Sequence, residues 1–205
     1  FFKNIEILDL YGMYILEPTE PLPPVTDEEH EFERFQTVTY YALKREIEKF
    51  LEKDPTFSLN QIVEDIMHHY GNLTQKINFL QTIRSNKDYA YKHSLSVAML
   101  CSIICAKMGV EKKETEYIVA AALVHDLGKI IAPPEIIGKT DKLTVEELRI
   151  VREAEAKGYD LVKNNYTITA GIRRYLMQLS GELENRKAGR TIVDQKLLLG
   201  TKIIR

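Results

Sequence analysis

The chain has 205 residues, a formal net charge of −2, and 44% hydrophobic against 28% charged residues, the balance of a globular protein with one good core or two small units. So small a charge gives no global field for a nucleic-acid polymer, and no apolar run approaches the roughly 18 residues of a membrane helix. No secretory leader is recognisable, and Cys101 and Cys105 sit i,i+4 on an apolar stretch as reduced core residues rather than a disulfide framework; a cytoplasmic location is expected.

Residues 5–16 carry β-branched and aromatic residues around Gly12 and read as one or two short strands. Pro18 to Pro24 holds four prolines in seven residues, an extended linker. Residues 1–25 therefore form a strand segment plus linker. A helix is expected next, capped by Thr26-Asp27, with Phe32, Phe35, Ala42, Leu43, Ile47 and Phe50 at helical spacing up to Asp54-Pro55. Its charged remainder reads as a solvated face. Ser58 caps a further helix from Leu59 to about Ile83, on which His69 packs along the seam and His68 faces outward. These two helices form a lead-in region over residues 26–84.

Residues 85–205 form the third unit. Ser85-Asn86-Lys87-Asp88 breaks the pattern before a helix from Tyr89 to Met108, halted by Gly109. His93 opens its stripe, followed by Val97, Leu100, Cys101, Ile104, Cys105 and Met108. The next helix, Lys112 to Leu127, aligns Ile118, Ala121, Ala122 and His125; its alanines admit a close neighbour. Asp126 lies about 100° around the axis from His125, and Gly128 is expected to let the chain leave the helix so that both side chains face one centre. Ala132-Pro133-Pro134-Glu135 reads as a turn. Thr144 and Glu147 make a capping box for a helix running to about Lys163. Helices over Thr167–Leu179 and Thr191–Arg205 follow, with a polar loop between them. The chain starts at Phe1 and stops inside the apolar-periodic run Ile203-Ile204-Arg205, as expected for a piece of a longer protein.

Adjacent His125 and Asp126 at the end of an apolar helix require a compensating partner, because burying a charge is costly. A hydrogen-bonded His–Asp pair is one solution and a metal is the other. His93, His125 and Asp126 would supply two imidazoles and a carboxylate, a donor set suited to a divalent ion that keeps a position open for water. A bound metal makes that water acidic enough to act at neutral pH. Asp126 and Lys129 are thus the candidate catalytic pair. Lys129, with Lys139 behind it, is the candidate phosphate-binding cation.

The wider pattern is His93-Ser94-Leu95-Ser96-Val97-Ala98, then Ala121-Ala122-Leu123-Val124-His125-Asp126-Leu127-Gly128-Lys129-Ile130, Pro134, Ile137, Lys139, Leu143-Thr144, Glu146-Glu147 and Gly158-Tyr159. It resembles the HD superfamily of metal-dependent phosphohydrolases, and is most similar to the HD-GYP branch, the cyclic di-GMP phosphodiesterases, over about residues 75–163. The resemblance implies a mainly α, HD-type helical bundle behind the small β-containing N-terminal segment. It implies a metal cluster with ligation by His93, His125 and Asp126 and phosphate contact by Lys129; with the departures below, one divalent ion (Fe, Mn, Mg or Zn) or none is expected. It implies a phosphate ester or cyclic dinucleotide as ligand, with a homodimer or signalling partner met through the N-terminal helices. Asp88 is a candidate extra acidic ligand. Where that branch has a ligand histidine, four residues before Gly158, this chain has Ala154, flanked by Glu153 and Glu155. The branch's His-His-Glu stretch and Gly-Tyr-Pro loop are absent, and the chain ends before its last aspartate. The expectation is a phosphohydrolase-like domain with an eroded metal site, or a catalytically inactive signalling or protein-interaction module.

Overall fold

The computed structural model describes residues 27–71, 88–187 and 197–205. Among these the secondary structure is helical, with no strand. The expected strands and proline linker of residues 1–25 lie outside the described residues, as do 72–83 of the second expected helix and 191–196 of the last.

In chain order the helices are α1 (Asp27–Glu52), α2 (Asn60–Tyr70), α3 (Tyr89–Met108), α4 (Lys112–Val124), α5 (Leu127–Ile131), α6 (Pro134–Ile137), α7 (Val145–Asn164), α8 (Ala170–Lys187) and α9 (Leu199–Ile204). The short α6 replaces the expected turn; Pro134 at its first position has no amide to leave unpaired there. Helix α8 runs past the expected stop at Ser180-Gly181.

Helix α4 is the centre of the bundle. Every residue from Ile118 to Val124 is buried, the pattern of a helix enclosed on all sides. It packs against α2, α3, α8 and α9. Its alanines are buried, and α3, against which it packs, buries small residues as well. The buried face of α3 differs from the expected stripe. Ala90, Ser94, Leu95, Ala98, Met99, Cys101, Ser102 and Cys105 are buried, while Leu100, Ile104 and Met108 stay 41%, 38% and 55% exposed. The turn between the two helices is made by Gly109, whose φ of +63° strongly favours glycine.

Helix α1 buries Tyr40, Leu43, Ile47 and Phe50. Its polar face is not wholly solvated, because Glu46 is also buried. That carboxylate accepts hydrogen bonds from the Ser58 amide at 3.0 Å and the Lys49 ammonium at 2.8 Å. On α2, His69 does not pack in a seam; it is exposed, with its ring 4.0 Å from that of Phe35. The capping box on α7 forms as expected, with the Glu147 amide donating to Thr144 and the Thr144 amide to Glu147.

Candidate metal centre

The expected single helix over 112–127 is two. Helix α4 ends at Val124, His125 is its C-cap, and Asp126 is the N-cap of α5. The Asp126 carbonyl accepts from the amides of Lys129 and Ile130, which restarts the helix. His125 and Asp126 therefore sit on the corner between two helices, which allows their side chains to converge. Glycine is not what permits the corner: neither residue has positive φ, and Gly128 lies inside α5.

Gly128 serves close packing instead. A Cβ there would lie 2.5 Å from the Glu155 Cα, and a Cβ on Gly158 would lie 2.5 Å from the Gly128 nitrogen. The α5 and α7 backbones touch at two glycines, which fixes the corner against α7.

The three candidate ligands come together. The Nε2 atoms of His93 and His125 lie 3.4 and 3.6 Å from Asp126 Oδ2. Donor atoms about 2.1 Å from one tetrahedral ion would be about 3.4 Å apart, so these separations suit a shared cation. His125 Nδ1 is 2.7 Å from the Ala122 carbonyl. A carbonyl only accepts, so Nδ1 carries the proton and Nε2 keeps its lone pair when the ring is neutral. Burial lowers the His93 pKa and outweighs the opposing pull of Asp126, which favours a neutral imidazole. Burial alone would raise the Asp126 carboxyl, but His125, the Lys129 ammonium and His93 hold it below the usual aspartate value. A depressed carboxyl pKa and a depressed imidazole pKa both favour the protonation states a metal requires.

Lys129 donates to Asp126 Oδ2 at 2.6 Å. It thus shares the oxygen on which the two imidazoles converge. Exposure grades across the group: the His125 and Asp126 side chains are 13% and 16% exposed, His93 and Lys129 36% and 37%. The mouth of the site is therefore on the His93–Lys129 side. Beside the cluster, a cavity of about 70 Å³ lined by His125, Asp126, Lys129, Glu155 and Tyr159 is far smaller than the ~300–1,000 Å³ of a ligand pocket. A molecule too large for that cavity would meet the cluster from the exposed side.

The other candidates are placed elsewhere. The Lys139 ammonium is held by both oxygens of Glu147 at 2.9 Å, not among the cluster atoms. Asp88 accepts from the Tyr40 hydroxyl and is outside the cluster. Of the two glutamates beside Ala154, Glu153 pairs with Arg149 on the surface, whereas Glu155 lines the same cavity as His125 and Asp126. Sequence reasoning overlooked Tyr89, whose ring stacks on His93 with centroids 6.0 Å apart and planes 10° apart. Its signal was the i,i+4 spacing from Tyr89 to His93.

The HD domain family model matches residues 90–196. Among curated proteins, the chain is 25% identical over 115 residues to the cyclic di-GMP phosphodiesterase response regulator RpfG of Xanthomonas campestris, covering 56% of this chain and 29% of that one. It is 23% identical over 162 residues to 3'3'-cGAMP-specific phosphodiesterase 2 of Vibrio cholerae, covering 72% and 28%. It is 34% identical over 67 residues to ribonuclease Y of Geotalea uraniireducens, covering 33% and 11%. The chain thus spans less than a third of the length of each of these relatives. No solved structure matches it.

Proposed function

The chain belongs to the HD domain family, and from that premise we propose that it is a metal-dependent phosphohydrolase-like domain of the HD-GYP type, acting in cyclic-dinucleotide or nucleotide signalling. The observation that carries this reading is the convergence of the His93 and His125 Nε2 atoms on Asp126 Oδ2. Two relatives are named as phosphodiesterases of cyclic di-GMP and 3'3'-cGAMP, which supports a cyclic dinucleotide as the ligand. His93, His125 and Asp126 would hold one divalent ion, which when bound supplies an acidified water and neutralises phosphate charge. Lys129 stands beside the same oxygen with its side chain 37% exposed, which supports a phosphate contact there. In the reaction a water oxygen bonds to phosphorus, the P–O ester bond breaks, and the leaving oxygen takes a proton. The three residue units expected from the sequence, 1–25, 26–84 and 85–205, are retained in this reading, as is a cytoplasmic setting. Val38 and Tyr41, 68% and 65% exposed on α1, support contact with a second copy or a signalling partner through the lead-in helices.

A second reading has its own observation. Ala154 is half-buried on α7, and its methyl offers no donor where the family resemblance calls for a histidine. On that reading the domain holds a ligand without turning it over. Incubation of the Mn²⁺-loaded protein with cyclic di-GMP, followed by chromatography, separates the two. A linear dinucleotide formed by wild type and not by Asp126→Asn supports hydrolysis. Metal and ligand retained without product supports the second reading, and neither metal nor product contradicts the first.

A further inference from the structure

We propose that Tyr89 is a stacking platform for a planar base of the substrate, so that α3 supplies both a metal-binding imidazole and the surface that reads the nucleoside. The proposal rests on the phosphohydrolase reading above and extends it to a residue with no part in the cluster itself.

Tyr89 and His93 are four residues apart, one turn of α3, and therefore share a face. Their rings are nearly parallel, with planes 10° apart, and the centroids are 6.0 Å apart. The His93 and His125 ring centroids are 5.4 Å apart. Three rings thus run from the buried corner outward, and exposure rises along them. The His125 side chain is 13% exposed, the His93 side chain 36%, and Tyr89 as a residue 41%. A tyrosine confined to a core role would bury its ring; this one ends the row in solvent, at the mouth of the site. A phosphate held between Lys129 and the cluster leaves its ribose and base outside, because the cavity beside the cluster has only about 70 Å³. Tyr89 then offers an aromatic surface next to His93, its ring stacked on the imidazole. Base-on-aromatic stacking tolerates any base and needs only an accessible ring face.

A purely structural role predicts something different. If Tyr89 serves only to orient the His93 ring, its removal weakens metal binding and leaves no base-dependent effect. Calorimetric titrations of wild type, Tyr89→Phe and Tyr89→Leu with Mn²⁺, GMP and ribose 5-phosphate distinguish these cases. Wild type should prefer GMP to ribose 5-phosphate. Tyr89→Leu should lose that preference, binding GMP about tenfold more weakly with ribose 5-phosphate and Mn²⁺ affinities unchanged. Tyr89→Phe should retain it. The proposal is overturned if Tyr89→Leu weakens GMP and ribose 5-phosphate equally, if it weakens only Mn²⁺, or if wild type shows no preference for GMP. That preference is measured with and without Mn²⁺, so a failure to bind metal counts against the phosphohydrolase reading and not against the platform.

Discussion

Asp126 is approached by three nitrogens at one oxygen: Lys129 at 2.6 Å and the two imidazoles at 3.4 and 3.6 Å. An ammonium and a divalent ion at that oxygen repel each other and compete for its lone pairs. Lys129 is more than a third exposed, so the competition is screened. Lys129→Met should therefore bind Mn²⁺ only about threefold more tightly, while binding of inorganic phosphate to the metal-loaded protein falls. Weaker metal binding in this variant, read by calorimetry, would make Lys129 a support of the ligands rather than a phosphate contact. Ala154 makes the opposite case. Ala154→His should raise the metal content above that of wild type, and an unchanged content would show that α7 does not present this position to the cluster. At this scale the sequence was informative, because His93, His125 and Asp126 are chemically conspicuous. Tyr89 escaped notice because an aromatic at the start of a helix has many uses. Lys139 shows how a lysine's reach leaves its partner open in a sequence: here the partner is Glu147.

Between elements, the contact that matters is Gly128 on Gly158. Neither requires an unusual φ; each requires the absence of a Cβ, since the atoms they would strike are backbone and cannot swing aside. Gly158→Ala should lower stability by about 1–3 kcal/mol and shift α5 with it, so that thermal melts and metal affinity fall together. A variant with wild-type melting would mean that α5 and α7 stand farther apart. Glu46 gives a second test. Burial would raise its carboxyl, but Lys49 and the Ser58 amide outweigh burial and hold it below the usual glutamate value. A depressed folded pKa stabilises the fold above the unfolded glutamate pKa, and that contribution is lost as pH falls through the folded value. Glu46→Gln should thus be less stable than wild type by about 1–2 kcal/mol at pH 7, with the difference closing in acid; a gap independent of pH in denaturant titrations would contradict it. Helix existence was legible from apolar spacing. The face of α3 was not, because alanine and serine carry little hydrophobic weight in a sequence pattern, yet Ala90, Ser94, Ala98 and Ser102 are among its buried residues. The break at His125 was also hidden, since its backbone angles are helical and no glycine or proline marks it.

For the whole molecule, the centre and the fold are one device. The enclosed helix α4 ends at the ligands, α3 brings His93 alongside, and α7 fixes the corner from below. No helix among the described residues is long and apolar enough to cross a membrane. A ligand that binds only the folded state stabilises it, by about 2.7 kcal/mol at a hundred times its Kd. Saturating Mn²⁺ should accordingly raise the melting temperature of wild type by roughly 5–10 °C, and a chelator should reverse the shift; no shift would place the metal elsewhere than on folded helices. Metal content is the most direct test of the centre. Elemental analysis of the purified protein and of His125→Ala should find one equivalent of a divalent metal in wild type and none in the variant. No metal in either, or the same content in both, would contradict the assignment of His93, His125 and Asp126 as the metal centre.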